Sequence, residues 1–176
     1  MKNKYEVRGE VTAIFLNSPK HGNRETLIST SQLPRMEEFP NTWFLHKGTR
    51  SFYVRGNIVK DNGKKEMALL HRWITDASGD YEVDHLDHET LNNVDSNLRV
   101  LTVAENQQNR KSSQSNSKSG IRGVTWHISK KIWIAKIQIN KKSMHIGCFK
   151  TIEEAEIAVV EARKTYMPFS IETLTL

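Results

Sequence analysis

The sequence predicts an α+β chain made of several small modules. Three observations carry this expectation. Apolar residues alternate with polar ones in short, strand-length runs. One capped, amphipathic helix follows the last of these runs. A polar, Ser-rich stretch, Lys111–Ser119, ends at Gly120 and reads as a linker in the chain of 176 residues. The expected division is a β-rich region of unassigned role over 1–50, a polar motif region over 51–110, a linker over 111–119, a sheet-and-helix module over 120–168 and a tail over 169–176.

Tyr5–Leu16 and Ser51–Val59 look strand-like. Asp61-Asn62-Gly63-Lys64 is a turn signal before the apolar run Met67–Leu70, so a hairpin is expected to feed His71-Arg72. Tyr81-Glu82-Val83 reads as a strand, and Thr102 as the cap of a helix containing Glu105 and Asn106. In the last third, three strands are expected. The first carries Val124, Trp126 and Ile128, the second Trp133, Ala135, Ile137 and Ile139, and the third Met144, Ile146 and Cys148, all on one apolar face. Thr151 and Glu154 form a capping-box pair for a helix whose stripe is Ile152, Ala155, Val159, Ala162 and Tyr166. Trp126 and Trp133 are read as packing residues, and Gly123 and Gly147 as backbone requirements.

Composition narrows the function classes. The formal net charge is +6, which suits a polyanionic partner or an anionic surface. Between Gln107 and Lys150 there is no Asp or Glu, while Lys and Arg recur throughout. The single cysteine, Cys148, forms no internal disulfide and excludes zinc sites built on Cys pairs. No apolar run approaches the roughly 18–20 residues a bilayer span needs, and the first residues lack an apolar signal segment. A soluble, cytoplasmic protein without a membrane partner is expected.

The densest polar cluster runs from Tyr81 to Asn106. Phosphodiester hydrolysis needs a base for water, positive charge at the phosphorus centre and stabilisation of the leaving oxygen. His85 is the natural base, because an imidazole titrates near neutrality. Asp84 is a hard oxygen ligand suited to magnesium. Strand neighbours point to opposite faces, so Asp84 and His85 share a site only where the strand ends and turns. An asparagine can hold the imidazole in one tautomer. Read alone, a His after an Asp is more often a surface or capping group, His71 reads as structural, and Asp87, His88 and Glu89 read as loop residues. The conjunction of Asp84, His85, Asn97 and Asn106 carries the reading.

Leu70-His71-Arg72, Val83-Asp84-His85, Asn92-Asn93, Asn97-Leu98-Arg99 and Thr102–Asn106 occur in an order and spacing that resembles the HNH, or ββα-metal, nuclease motif of phage and intron homing endonucleases. The resemblance covers about Phe52 to Arg110 and implies an endonuclease. Asp84 would bind one divalent ion, Mg²⁺ or Mn²⁺, with Asn106 as the second ligand. His85 would be the general base, and Asn97 would position it. Products would carry 5′-phosphate ends. Arg72 would contact phosphate. His88 departs from the family pattern, standing where many relatives have Gly.

Gly120-Ile121-Arg122-Gly123-Val124, Lys131–Ile139, Ile146–Phe149 and Glu153-Glu154-Ala155 resemble the plant ERF, or Apetala-type, DNA-binding domain. This implies a three-stranded sheet laid in a groove of double-stranded DNA. The expected contacts are Arg122, Lys130, Lys131, Lys136, Gln138 and His145. Only Arg122 retains a strand arginine of the family, so guanine readout of the family's kind is not implied at the other positions. Two other readings stand beside the homing nuclease: a DNA-binding regulator with a decayed nuclease centre, and an RNA-directed protein. Intact Asp84, His85 and Asn97 favour the nuclease, acting as a monomer or homodimer. No paired aromatic platform for stacking RNA bases is evident.

Overall fold

The computed structural model describes residues 1–49, 51–60, 62–109 and 117–170. Most of the expected linker and tail lie outside these residues. The chain divides into two compact units, Met1–Thr102 and Val103–Leu176.

The first unit is mostly strand: β1 (Tyr5–Arg8), β2 (Val11–Leu16), β3 (Arg24–Ser29), the short helix α1 (Leu33–Glu37), β4 (Trp43–Lys47), β5 (Phe52–Val59), β6 (Lys65–Leu69), α2 (Leu70–Thr75), β7 (Tyr81–His85), the two-residue β8 (Asn92–Asn93) and β9 (Leu98–Thr102). Three sheets form, in the orders β1-β2-β3-β8, β4-β5-β6 and β7-β9. The expected hairpin at Asn62-Gly63 is β5–β6, with Asn62 Oδ1 accepting from the Lys64 amide at 3.0 Å.

Residues 1–50 do not stand apart as a region of their own. Their apolar residues Ile14, Leu16, Ile28, Met36, Phe39 and Trp43 share one core with Val54, Leu70 and Ile74. Phe39 stacks on Trp43 with ring centroids 3.8 Å apart, and Trp73 meets both edge-on. Gly56 on β5 makes this stack fit, since a Cβ there would lie 2.3 Å from Phe39 Cζ. The result fixes α2, and therefore His71, against the strands.

The second unit begins with α3 (Val103–Asn106) and continues as β10 (Val124–His127), β11 (Ile132–Ile139), β12 (Lys142–Phe149) and α4 (Ile152–Tyr166). The strands form one antiparallel sheet, β10-β11-β12. Thr151 caps α4 through a reciprocal capping box with Glu154, as the sequence predicts. Val124, Ala135, Ile137, Ala155, Val159, Ala162 and Met167 form its core. Gly123 has φ +86°, and a Cβ there would lie 2.4 Å from the Lys136 carbonyl oxygen, so both conformation and space demand glycine.

Three expectations fail here. Ile128 lies past the end of β10 and is exposed instead of joining the apolar face. Met144, Ile146 and Cys148 do not share one apolar face. An irregularity in the β11–β12 register between Ala135 and Lys136 shifts the pairing by one residue, and a one-residue shift exchanges faces. Gly147 then opposes Ala135 and Phe149 opposes Trp133 on the core side, while Cys148 is exposed opposite Ile134. Tyr166 is also exposed, and Met167, just past the helix, fills the core in its place.

Candidate active site

β7 and β9 pair antiparallel with Asp84 opposite Arg99 and His85 opposite Leu98. The first pairing sets a cross-strand ion pair, Arg99 Nη2 to Asp84 Oδ2 at 2.7 Å, between two largely buried side chains. β7 continues through His85, and the Leu86 amide still donates to the Asn97 carbonyl at 2.9 Å. Asp84 and His85 therefore leave a regular strand in different directions. Asp84 goes to Arg99, and His85 goes to α2 and β8.

His85 is 4% exposed. Its Nε2 lies 3.2 Å from Asn93 Oδ1, and its ring meets that of His71 at 5.2 Å, nearly perpendicular. Burial lowers the His85 pKa; the Asn93 hydrogen bond and the charges of Asp84 and Asp87 oppose that shift without cancelling it. Burial, with His85 and Arg72 nearby, pushes the His71 pKa down to about 3. Both imidazoles are thus neutral at neutral pH, the state in which a base can accept a proton.

The asparagine bonded to the imidazole is Asn93, not the expected Asn97, which instead shapes the loop after β7. Its Oδ1 accepts from the Asp87 amide at 3.0 Å, and its Nδ2 donates to Asp87 Oδ1 at 2.8 Å and to the Asn92 carbonyl at 2.7 Å. Asp87 also accepts from the Glu89 amide and from Asn92 Nδ2. Burial raises the Asp87 pKa, but these hydrogen bonds and His85 outweigh it and hold the carboxyl below its usual range. In the same loop His88 takes the left-handed conformation, φ +65°, which glycine adopts without strain.

Arg72, expected on phosphate, donates from Nη1 to the Tyr81 carbonyl at 2.8 Å and so ties α2 to β7. Asn106 ends α3 in the second unit. Among the described residues, no group of three or more His, Cys, Asp or Glu side chains is arranged to hold a metal ion. In the second unit Lys136 faces His145 and Gln138 faces Ser143 across β11 and β12, and all four are exposed. Lys130 and Lys131 are exposed at the β10–β11 turn. Arg122 differs from these: its guanidinium donates to the Gln108 carbonyl at 2.8 Å and the Gln107 carbonyl at 3.2 Å, and its own carbonyl accepts from Arg163.

Residues 68–108 match the HNH endonuclease family. The HNH segment thus takes in α2, β7, the Asp87 loop, β8, β9 and α3. An uncharacterised HNH endonuclease, L560 of Acanthamoeba polyphaga mimivirus, is 39% identical over 104 residues, covering 56% of this chain and 49% of that protein. Protein 3.8 of Escherichia phage T7 is 38% identical over 53 residues, covering 30% of this chain and 43% of that protein. The chain spans about half the length of these curated relatives. No solved structure matches. Among the described residues, no helix is long and apolar enough to cross a membrane.

Proposed function

We propose that the chain is a divalent-metal-dependent endonuclease that hydrolyses DNA phosphodiester bonds, with His85 as general base. The observation that carries this reading is a buried, neutral imidazole with one nitrogen already hydrogen-bonded, inside the HNH segment. His85 takes a proton from water as water attacks phosphorus, and the products carry 5′-phosphate ends. Asp84 offers a hard oxygen donor, the chemistry that Mg²⁺ or Mn²⁺ prefers, with its second carboxylate oxygen beyond the one paired to Arg99, and magnesium is commonly held by a single carboxylate together with substrate phosphate. One such ion would supply positive charge at the phosphate and at the leaving oxygen.

Residues 120–168 act in this reading as an ERF-like grip on double-stranded DNA. Lys136, Gln138 and His145 contact the groove, and Lys130 and Lys131 contact phosphates; support comes from their exposure on one face and at one turn of the β10-β11-β12 sheet. Arg122 would help shape that grip through the Gln107 and Gln108 carbonyls. A role in a phage or mobile element, as a homing endonuclease, belongs to this reading; the viral origin of both relatives, one of them called an HNH endonuclease, supports its phage part.

The test is supercoiled plasmid incubated with the full chain, with Mg²⁺, with EDTA, and with Mg²⁺ restored. Nicked or linear product that appears only with the metal, and that ligase seals without prior phosphorylation, is expected. Failure to cut any DNA under these conditions would remove the proposal. One observation favours a second reading, a DNA-binding regulator with a decayed centre: Asp84 is already neutralised by Arg99. That reading expects DNA binding with no metal-dependent cleavage.

A further inference from the structure

The N-terminal strands pair with the HNH segment through β8. β8 adds to β3 in parallel, with Leu27 opposite Asn92 and Ile28 opposite Asn93. The Leu27 amide donates to the Leu91 carbonyl at 2.9 Å. Thr26, on β3 and 0% exposed, donates its hydroxyl hydrogen to that same carbonyl at 2.7 Å. Asn93, 1% exposed, contacts Thr26 Oγ1 through its Nδ2 at 2.8 Å and His85 Nε2 through its Oδ1.

These bonds have only one consistent direction. A carbonyl oxygen only accepts, so Thr26 must spend its single hydrogen on Leu91. The hydroxyl can then only accept from Asn93, which requires the amide nitrogen of Asn93 to face Thr26. The amide oxygen therefore faces His85, and that oxygen also only accepts. Nε2 of His85 must carry a hydrogen, which leaves Nδ1 as the lone-pair nitrogen of the neutral ring.

We infer that Thr26 and Asn93 are positioning residues: the chain Leu91–Thr26–Asn93–His85 fixes the hydrogen of His85 on Nε2 and leaves Nδ1 to receive the proton. The N-terminal strands are in this way part of the nuclease centre. Proton acceptance leaves the chain intact, because Nε2 keeps its hydrogen in both charge states. Besides Asn93, the ionisable groups around the ring are His71 on α2, Asp84 on β7 and Asp87 in the loop. None of them fixes the tautomer as Asn93 does. The expected effect on rate rests on the nuclease reading; the tautomer does not.

The test uses the ¹⁵N-labelled full chain at pH 8. Long-range ¹H–¹⁵N spectra report which ring nitrogen is protonated, and the His85 signals are identified by their loss in His85→Gln. Wild type is expected to show the Nε2–H form. Thr26→Val keeps the shape of the side chain but removes the acceptor for Asn93. The amide nitrogen then keeps only its long contact with the Thr90 carbonyl, at 3.5 Å, too weak to hold it away from the ring, and a shift toward Nδ1–H is expected. Thr26→Ser should keep the wild-type tautomer. In plasmid cleavage, Thr26→Val should lower kcat by about 10- to 100-fold with little change in KM, and Thr26→Ser should restore it. An Nδ1–H form in wild type overturns the inference whether or not any variant folds. So does an unchanged tautomer in folded Thr26→Val, whatever the rate does. If wild type shows Nε2–H and cuts no DNA, the nuclease reading fails and the positioning chain stands.

Discussion

The two units use polar residues in opposite ways. In Met1–Thr102, Thr26, Asn93, His85 and Asn97 are buried, and their hydrogen bonds have fixed partners. In Val103–Leu176, Lys136, Gln138 and His145 stand exposed on a sheet whose other side packs on α4. Buried polar groups lose free energy whenever a partner is missing, so the first arrangement tolerates few geometries. Exposed cations are solvated with or without a ligand and act through charge, so the second tolerates many. Substitutions in the first unit should therefore change chemistry and stability sharply. Those in the second should change binding gradually and in a salt-dependent way.

The largest expected effect is on acid stability. An unfolded His71 binds a proton as pH falls through its ordinary value of 6.5, whereas the folded one does so only near 3. The unfolded state gains protons in that window, so stability is full above about pH 6.5 and falls on acidification. The loss should approach about 4–5 kcal/mol by pH 3, read from denaturant melts at several pH values, and His71→Phe should flatten the slope. A wild-type slope no steeper than that of His71→Phe would break the contrast between the units.

Next is Asp84→Asn, which should reduce metal-dependent cleavage by more than about 100-fold, beyond the effect usual for residues behind a metal ligand. Arg99→Lys keeps the cross-strand charge and should be milder. Asn97→Ala leaves the Asp87 amide and the Asn92 carbonyl without the side-chain partner they now have, and should destabilise the first unit by about 1–3 kcal/mol in urea melts. The smallest effect is expected from Lys136→Ala. It should lower the slope of log affinity against log salt by about 0.9 and leave the cleavage rate of bound DNA unchanged. A drop in that rate instead would blur the division between centre and grip.

Much of this arrangement was legible in the sequence because it is local. The Asn62-Gly63 hairpin, the strand before His85 and the Thr151–Glu154 cap each depend on neighbours within a few residues. What was not legible is long-range. Asn93 and Asn97 lie in the same polar loop, and nothing local says which faces His85. The choice is made by β3, 65 residues before the Leu91 carbonyl that anchors Thr26. Arg99 was visible as part of a motif, but its ion pair with Asp84 follows from a cross-strand register that the sequence left unspecified. The face of Cys148 departs from simple alternation for a related reason: alternation assumes an unbroken ladder, and the β11–β12 pairing shifts beside Lys136.

The acid limb of cleavage is expected to have its midpoint below pH 6.5, since burial lowers the His85 pKa. The most direct measurement of the base itself is single-turnover plasmid cleavage by His85→Ala beside wild type, with Mg²⁺ and with DNA binding measured in parallel. A rate lower by about 10²- to 10⁴-fold with affinity retained is the expected result. His85→Ala cutting at the wild-type rate would contradict the assignment.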